Sequence, residues 1–176
     1  ARYGAVGFSI GTKGSIRTGF TSTFANDFWE YDPTTNAWTA KTNFGGSARR
    51  DAVGFSIGTK GYLGTGIGAS YLNDFWEFDQ TANTWVQKTS FGGVARNFAV
   101  GFSIGSKGYI GTGDGSGPQN QFQDYWEYNQ ATNSWLQRAN VGGGVRQMGI
   151  GFAIGNKGYI GLGSSSGLKT DFWEWL

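Results

Sequence analysis

Small and bulky residues alternate with a period of two along Ala5–Ile10: Ala5, Gly7 and Ser9 take one face of an extended chain, Val6, Phe8 and Ile10 the other. The pattern predicts a strand that is apolar on both sides, so that the bulky face of one sheet presses on the small face of the next. Gly11-Thr12-Lys13-Gly14 follows as a turn. Its counterparts at 58–61, 105–108 and 155–158 lead into a second strand, clearest in Tyr62-Leu63-Gly64-Thr65-Gly66. A third strand holds Phe28-Trp29-Glu30-Tyr31, the segment Asp32-Pro33-Thr34-Thr35-Asn36 turns, and a fourth strand starts at Trp38. Helical spacing is absent.

This unit recurs. The segment Ala-Val-Gly-Phe-Ser-Ile-Gly stands at 5–11, 52–58 and 99–105 and returns as Gly149-Ile150-Gly151-Phe152-Ala153-Ile154-Gly155. An arginine precedes each copy, at Arg2, Arg49, Arg96 and Arg146. An acidic-aromatic cluster follows each, beginning at Asp27, Asp74, Asp124 and Asp171. A four-stranded sheet of about 47 residues with two apolar faces is not stable alone, and radial stacking buries both faces. The expected fold is all-β, a propeller with four blades at about 1–47, 48–94, 95–144 and 145–176. The last blade lacks its outer strand, since the chain stops at Leu176 before any counterpart of Trp38, Trp85 and Trp135. Those three tryptophans read as blade-packing residues.

Tyr62 with the glycines after it, Tyr31-Asp32-Pro33, Asn36-x-Trp38, and then a Gly-Gly pair before Arg49 resemble a kelch repeat, and the likeness covers the whole chain in four copies. One departure is Gly64-Thr65-Gly66, repeated as Gly111-Thr112-Gly113, where kelch repeats have a double glycine. The Phe-Trp-Glu-Tyr style of the third strand is similar to kelch arrays in secreted or surface proteins of Bacteroidetes-type bacteria. That resemblance implies an extracellular or cell-surface location.

Composition narrows the chemistry. The chain has no cysteine and no histidine, which removes thiolate zinc sites, thiol nucleophiles and the commonest general base. A copper oxidase resembling galactose oxidase would need both residue types. The Asp-box turns expected of a sialidase do not occur. No cofactor or metal is expected, and a sugar hydrolase is the one enzyme reading kept as an alternative to a non-enzymatic module. A net charge of +2, from 14 basic and 12 acidic residues, is too balanced for non-specific nucleic-acid binding. No apolar run is long enough to insert in a bilayer.

Residues identical in every copy are expected to hold the blades together, and residues that break the repeat are free to recognise a ligand. The once-per-blade arginines and acids therefore read first as ion pairs, and second as a ring of arginines for an anion. The positions after each arginine vary: Tyr3-Gly4, Arg50-Asp51, Asn97-Phe98 and Gln147-Met148. They enter the innermost strands and so line one mouth of the central channel. Kelch adaptors that bind acidic peptides use arginines near this place, a resemblance that reaches Arg49, Arg50, Arg96 and Arg146. The candidate ligand-binding set is Tyr3, Arg49, Arg50, Arg96, Asn97, Phe98, Arg146 and Gln147, facing an acidic or polar peptide or a glycan. The loops between second and third strands, at 20–25, 67–72, 114–123 and 164–170, form a second variable region, where Asp114-Gly115-Ser116-Gly117 reads as a flexible turn.

Kelch rings usually have more than four blades, so the end blades are expected not to close on each other. Self-association into a larger ring, or membership of a longer propeller, follows as the expectation, with an apolar flank that includes Trp173 and Trp175. Ser15 and Arg17 break the repeat where later blades have tyrosine and glycine, and Arg17 is expected to resist burial.

Overall fold

The computed structural model describes residues 1–117 and 120–175. Pro118 and Gln119, within the 114–123 loop, and the terminal Leu176 lie outside the described residues. Among the described residues fifteen strands form four antiparallel sheets in chain order. Blade 1 comprises β1 (Val6–Ile10), β2 (Lys13–Arg17), β3 (Phe28–Asp32) and β4 (Ala37–Ala40). Blade 2 comprises β5 (Val53–Ile57), β6 (Lys60–Gly64), β7 (Phe75–Asp79) and β8 (Thr84–Lys88). Blade 3 comprises β9 (Val100–Ile104), β10 (Lys107–Gly111), β11 (Tyr125–Asn129) and β12 (Ser134–Arg138). Blade 4 has three strands, β13 (Ile150–Ile154), β14 (Lys157–Gly161) and β15 (Phe172–Trp175). The protein is a four-bladed β-propeller, and no helix occurs among the described residues.

Turn chemistry sets the strand register. Ile10 faces Lys13 across the first hairpin, so Gly11 and Thr12 alone make the connection. Gly11, Gly58, Gly105 and Gly155 all have φ between 56° and 60°, a conformation that glycine adopts without a Cβ clash. The second strands end at Arg17, Gly64, Gly111 and Gly161, earlier than the sequence suggested. Thr65 and Thr112 turn instead to φ 59° and 58°, a region that L-residues other than glycine rarely occupy.

Blades stack bulky face on small face. A Cβ placed on Gly54 would strike Val6 and Phe8 of blade 1, and one on Gly61 would come 2.7 Å from the Phe8 ring. Gly101 and Gly108 receive Val53 and Phe55 of blade 2 in the same way, and Gly151 and Gly158 receive Val100 and Phe102 of blade 3. The glycines are therefore sockets for the preceding blade's side chains, and close packing leaves no room for a methyl group there. Trp85 and Trp135 bear out the packing role, meeting Phe44 and Phe91 of the preceding blades with ring centroids 5.0 and 5.2 Å apart. Trp38 does not: it is half exposed and, among the described residues, its one aromatic contact is a tilted one with Tyr31 of its own sheet.

Strands β1, β5, β9 and β13 line a central channel of about 560 Å³ whose walls are small residues such as Ala52, Ala99 and Gly149. Strand contacts join β1 to β5, β5 to β9 and β9 to β13, but among the described residues no strand of blade 4 lies against a strand of blade 1.

Two expectations are corrected. Arg17 is fully buried, because Ser15 leaves empty the volume that Tyr62 fills in blade 2 and the guanidinium occupies it. Its Cζ lies 4.0 Å from the Phe8 ring centroid, 4.1 Å from Phe28 and 4.6 Å from Trp85. Trp175 is also buried, packed edge-on against Tyr109 and tilted against Tyr125 of blade 3 at 5.0 and 5.1 Å, so it belongs to an internal interface and not to an open flank.

Candidate functional site

The arginines that open each unit are withdrawn beneath the mouth. Arg49, Arg96 and Arg146 are fully buried. Each forks onto an aspartate of its own blade: Arg49 onto Asp74 at 2.6 Å twice, Arg96 onto Asp124 at 2.6 and 2.8 Å, Arg146 onto Asp171 at 2.9 and 2.7 Å. Arg2 makes the same fork to Asp27 near the surface. The first guanidinium nitrogen of each also donates to the carbonyl of the left-handed residue, Thr18, Thr65, Thr112 or Leu162. Trp29, Trp76, Trp126 and Trp173 donate their indole N–H to the same aspartates. The Asp-x-Trp spacing and the strained threonines thus serve one knot that locks the entry to each blade. Arg49, Arg96 and Arg146 offer no free guanidinium to a ligand.

Burial alone would raise the Asp74 carboxyl, but the Arg49 hydrogen bonds and charge outweigh it and leave Asp74 more acidic than usual. Arg2 lowers Asp27, and Arg146 with Trp173 holds Asp171 at about 2. These groups bind fewer protons folded than unfolded, so their stabilisation is complete above the ordinary aspartate value and lost as pH falls through the folded one. The thermal midpoint is accordingly expected to drop between about pH 4 and pH 2. Circular-dichroism melts across that range check it, and a flat profile would contradict the role given to the knots.

What remains at the mouth is the varying residue after each arginine. Tyr3, Arg50, Asn97 and Gln147 are each held by a reciprocal pair of backbone hydrogen bonds to a loop residue of their own blade, respectively Phe20, Ile67, Asp114 and Ser164. The two variable regions of the sequence therefore form one surface. Around blades 1 and 2 it is aromatic: Tyr3 packs on Phe20 at 5.5 Å, Phe20 on Phe24 at 5.1 Å, and the Arg50 guanidinium lies 5.3 Å above Tyr3. Arg50 also stands 3.5 Å from Asp51, whose carboxyl is pushed up by burial despite that neighbour. Around blades 3 and 4 the surface is polar and opens into a cleft of about 480 Å³ lined by Asp114, Asn120, Gln121, Ser165 and Ser166.

Of the candidate residues, Tyr3 is exposed and Arg50, Phe98 and Gln147 are half-buried on this surface, while Asn97 is buried within it. Phe98 has left-handed backbone, as have Gly4, Asp51 and Met148 at the matching positions. Their backbones form a chain across the mouth: Asp51 N–H donates to the Gly4 carbonyl, Phe98 to Asp51, and Met148 to Phe98. Asn120, Gln121 and Ser165 were not singled out from the sequence. The signal was that each loop partner lies the same distance down the chain from its mouth residue in all four blades. Among the described residues no group of three acidic side chains could hold a metal ion.

No protein-family model matches the chain, and no curated protein does. Among solved structures, that of YjhT superposes with a TM-score of 0.83 over 99% of this chain and 68% of that one, at 16% identity. The likeness is one of fold.

Proposed function

We propose that the protein is a non-enzymatic binding module of kelch type that takes a polar ligand, a glycan segment, across the loop face of the propeller. A propeller supports an interaction or structural role in general. The observation that carries the narrower reading is the division of this face into an aromatic shelf at Tyr3, Phe20 and Phe24 and a polar cleft at Asn120, Gln121 and Ser165 with Asp114 as its one carboxylate. A sugar ring presents an apolar face and a belt of hydroxyls, and this pairing suits both. The acidic-peptide version of the reading has less support, because Arg50 is the arginine left at the mouth and it stands beside Asp51, with Asp114 on the neighbouring blade accepting from Tyr71 of the blade 2 loop. Function at a bacterial cell surface or outside the cell accords with a glycan ligand. The hydrolase reading has less support: the repeated aspartates are engaged by arginines, and Glu30, Glu77, Glu127 and Glu174 by Lys13, Tyr62, Arg138 and Lys157.

An array of neutral oligosaccharides, acidic oligosaccharides and acidic peptides tests this. Binding of oligosaccharides is expected, weakened at least tenfold by Tyr3→Ala with Gln121→Ala. Hits confined to acidic peptides, or oligosaccharide binding that the double variant leaves unchanged, would overturn it. Release of reducing sugar would overturn its non-enzymatic half.

A further inference from the structure

The face opposite the loop mouth carries a second cavity, at the seam between blades 1 and 2. About 400 Å³ open between the β1–β2 turn and the β7–β8 turn, lined by Thr12, Lys13, Glu30, Lys41, Gln80 and Thr81. Its floor is a carboxylate that differs from its counterparts by one donor. The register of second and third strands sets Tyr62 opposite Glu77, Tyr109 opposite Glu127 and Tyr159 opposite Glu174. In each pair the phenol O–H donates to the carboxylate, at 2.5, 3.2 and 3.1 Å. Blade 1 has Ser15 opposite Glu30. The Ser15 hydroxyl is buried and, among the described residues, has no hydrogen-bond partner. Arg17 lies between the Phe8 and Phe28 rings as Tyr62 lies between Phe55 and Phe75, but none of its three nitrogens has a hydrogen-bond partner there either. It replaces the packing of the tyrosine and not its donor.

One oxygen of Glu30 is well served and the other is not. Gln80 Nε2, from blade 2, donates to Oε2 at 2.8 Å. The Lys13 and Lys41 ammonium groups stand off Oε1 at 3.4 and 3.7 Å, beyond the roughly 2.7–2.9 Å of a charge-assisted hydrogen bond. Glu127 in blade 3 takes Arg138 at 2.8 and 3.0 Å in addition to its tyrosine. The Glu30 side chain is only 6% exposed. Burial would raise its carboxyl, but Gln80, Lys41 and Lys13 outweigh burial and hold it below the ordinary glutamate value, so it is an ionised acceptor at neutral pH.

We propose that this cavity binds a small neutral polyol of monosaccharide size, one hydroxyl of which takes the place at Glu30 that a tyrosine hydroxyl holds in the other three blades. A hydroxyl is the group that fits, because it donates to Glu30 Oε1 and accepts from Lys13 or Lys41 at the same time. A carboxylate would meet the charge of Glu30, and an ammonium would meet two groups of its own sign. An aromatic alcohol has no room for its ring, since Arg17 fills that space. Thr12, Gln80 and Thr81 offer uncharged partners for the remaining hydroxyls, and the volume lies within the range of roughly 300–1,000 Å³ of small-molecule pockets. The site lies on the other face from the glycan surface proposed above and does not depend on it.

An amide-resolved NMR titration with mannitol, galactose, acetate and methylammonium tests it and locates the site. Saturable shifts at Thr12, Lys13, Gln80 and Thr81 are expected with mannitol or galactose, and none with acetate or methylammonium. Ser15→Tyr with Arg17→Gly gives Glu30 its tyrosine and is expected to weaken the binding about tenfold or more, the effect of losing one charge-assisted hydrogen bond. Lys41→Met keeps the apolar stem and removes the ammonium, so it is expected to weaken binding in the same direction and serves as the second variant should the double one not fold. Tyr3→Ala with Gln121→Ala is expected to leave these shifts intact, which keeps the fate of the loop-face reading separate. Absence of a saturable shift at these four residues with both polyols would overturn the inference. So would tighter binding of either ion, or polyol binding that a folded variant at position 15 or 41 leaves unchanged.

Discussion

Replacing Ser15 by tyrosine and Arg17 by glycine together is expected to stabilise the protein by about 2 kcal/mol, within the roughly 1–4 kcal/mol seen when buried charges give way to packed apolar groups. The three guanidinium nitrogens of Arg17 have no hydrogen-bond partner, and burial drives its pKa well below the usual arginine value. Only ring faces attend the charge. Cation–π contacts with desolvated rings are worth about 2 kcal/mol or more, less than the several kcal/mol that effective desolvation of an ion costs. Blade 2 shows what the site becomes without the charge: Tyr62 stacks between Phe55 and Phe75 at 5.7 and 5.4 Å and donates to Glu77 at 2.5 Å. Phe8, Phe28 and Glu30 stand ready to receive a tyrosine at position 15 in the same way. For a chain of this size the gain corresponds to a rise in thermal midpoint of roughly 4–8 °C. Arg17→Gly alone is expected to destabilise, since it leaves the cavity unfilled. A double variant that melts below the wild type would show that the rings hold the charge better than solvent does.

The first strand's alternation and the four-fold recurrence were enough to specify strands, blades and the direction of stacking, because each is a property of spacing alone. Spacing also paired Arg49 with Asp74, 25 residues on, and Arg96 with Asp124, 28 residues on across a longer loop. What it did not settle was depth. Repetition looks the same whether an arginine points up into the mouth or down into a knot, and only the left-handed carbonyls of Thr65 and Thr112 show it to be down. Position 17 differs from expectation for a related reason: burial of a charge depends on the volume a neighbour gives up, and the space that Ser15 frees for Arg17 exists only in the folded blade. The loop face was legible in halves. Asn97 and Asp114 both break the repeat, but the hydrogen bonds that join them are between backbones, whose pairing no side-chain pattern announces.

Arg96→Ala is expected to cost about 3–5 kcal/mol, the range for removing one partner of a buried ion pair. Three kinds of contact go at once. The fork to Asp124 is lost, leaving a carboxylate that is only one-fifth exposed to find water. The Thr112 carbonyl loses a donor at 2.8 Å while its residue keeps the strained φ of 58°. The Phe91 and Phe122 rings, 4.9 and 4.0 Å from the guanidinium carbon, lose the group between them. Arg96→Lys is expected to fall between, since a single ammonium keeps the charge but cannot serve both aspartate oxygens and the carbonyl together. Arg50→Ala makes the contrast. Its guanidinium is part-exposed and stands 3.5 Å from Asp51, so its loss should stay within about 0.5 kcal/mol. Urea unfolding of the three variants decides between the two roles assigned to neighbouring arginines. Equal losses at positions 50 and 96 would mean that the knot beneath the mouth is not what holds blade 3 in place, whereas the ordering Arg96→Ala, Arg96→Lys, Arg50→Ala separates the residue that fastens the blade from the one left free to meet a ligand.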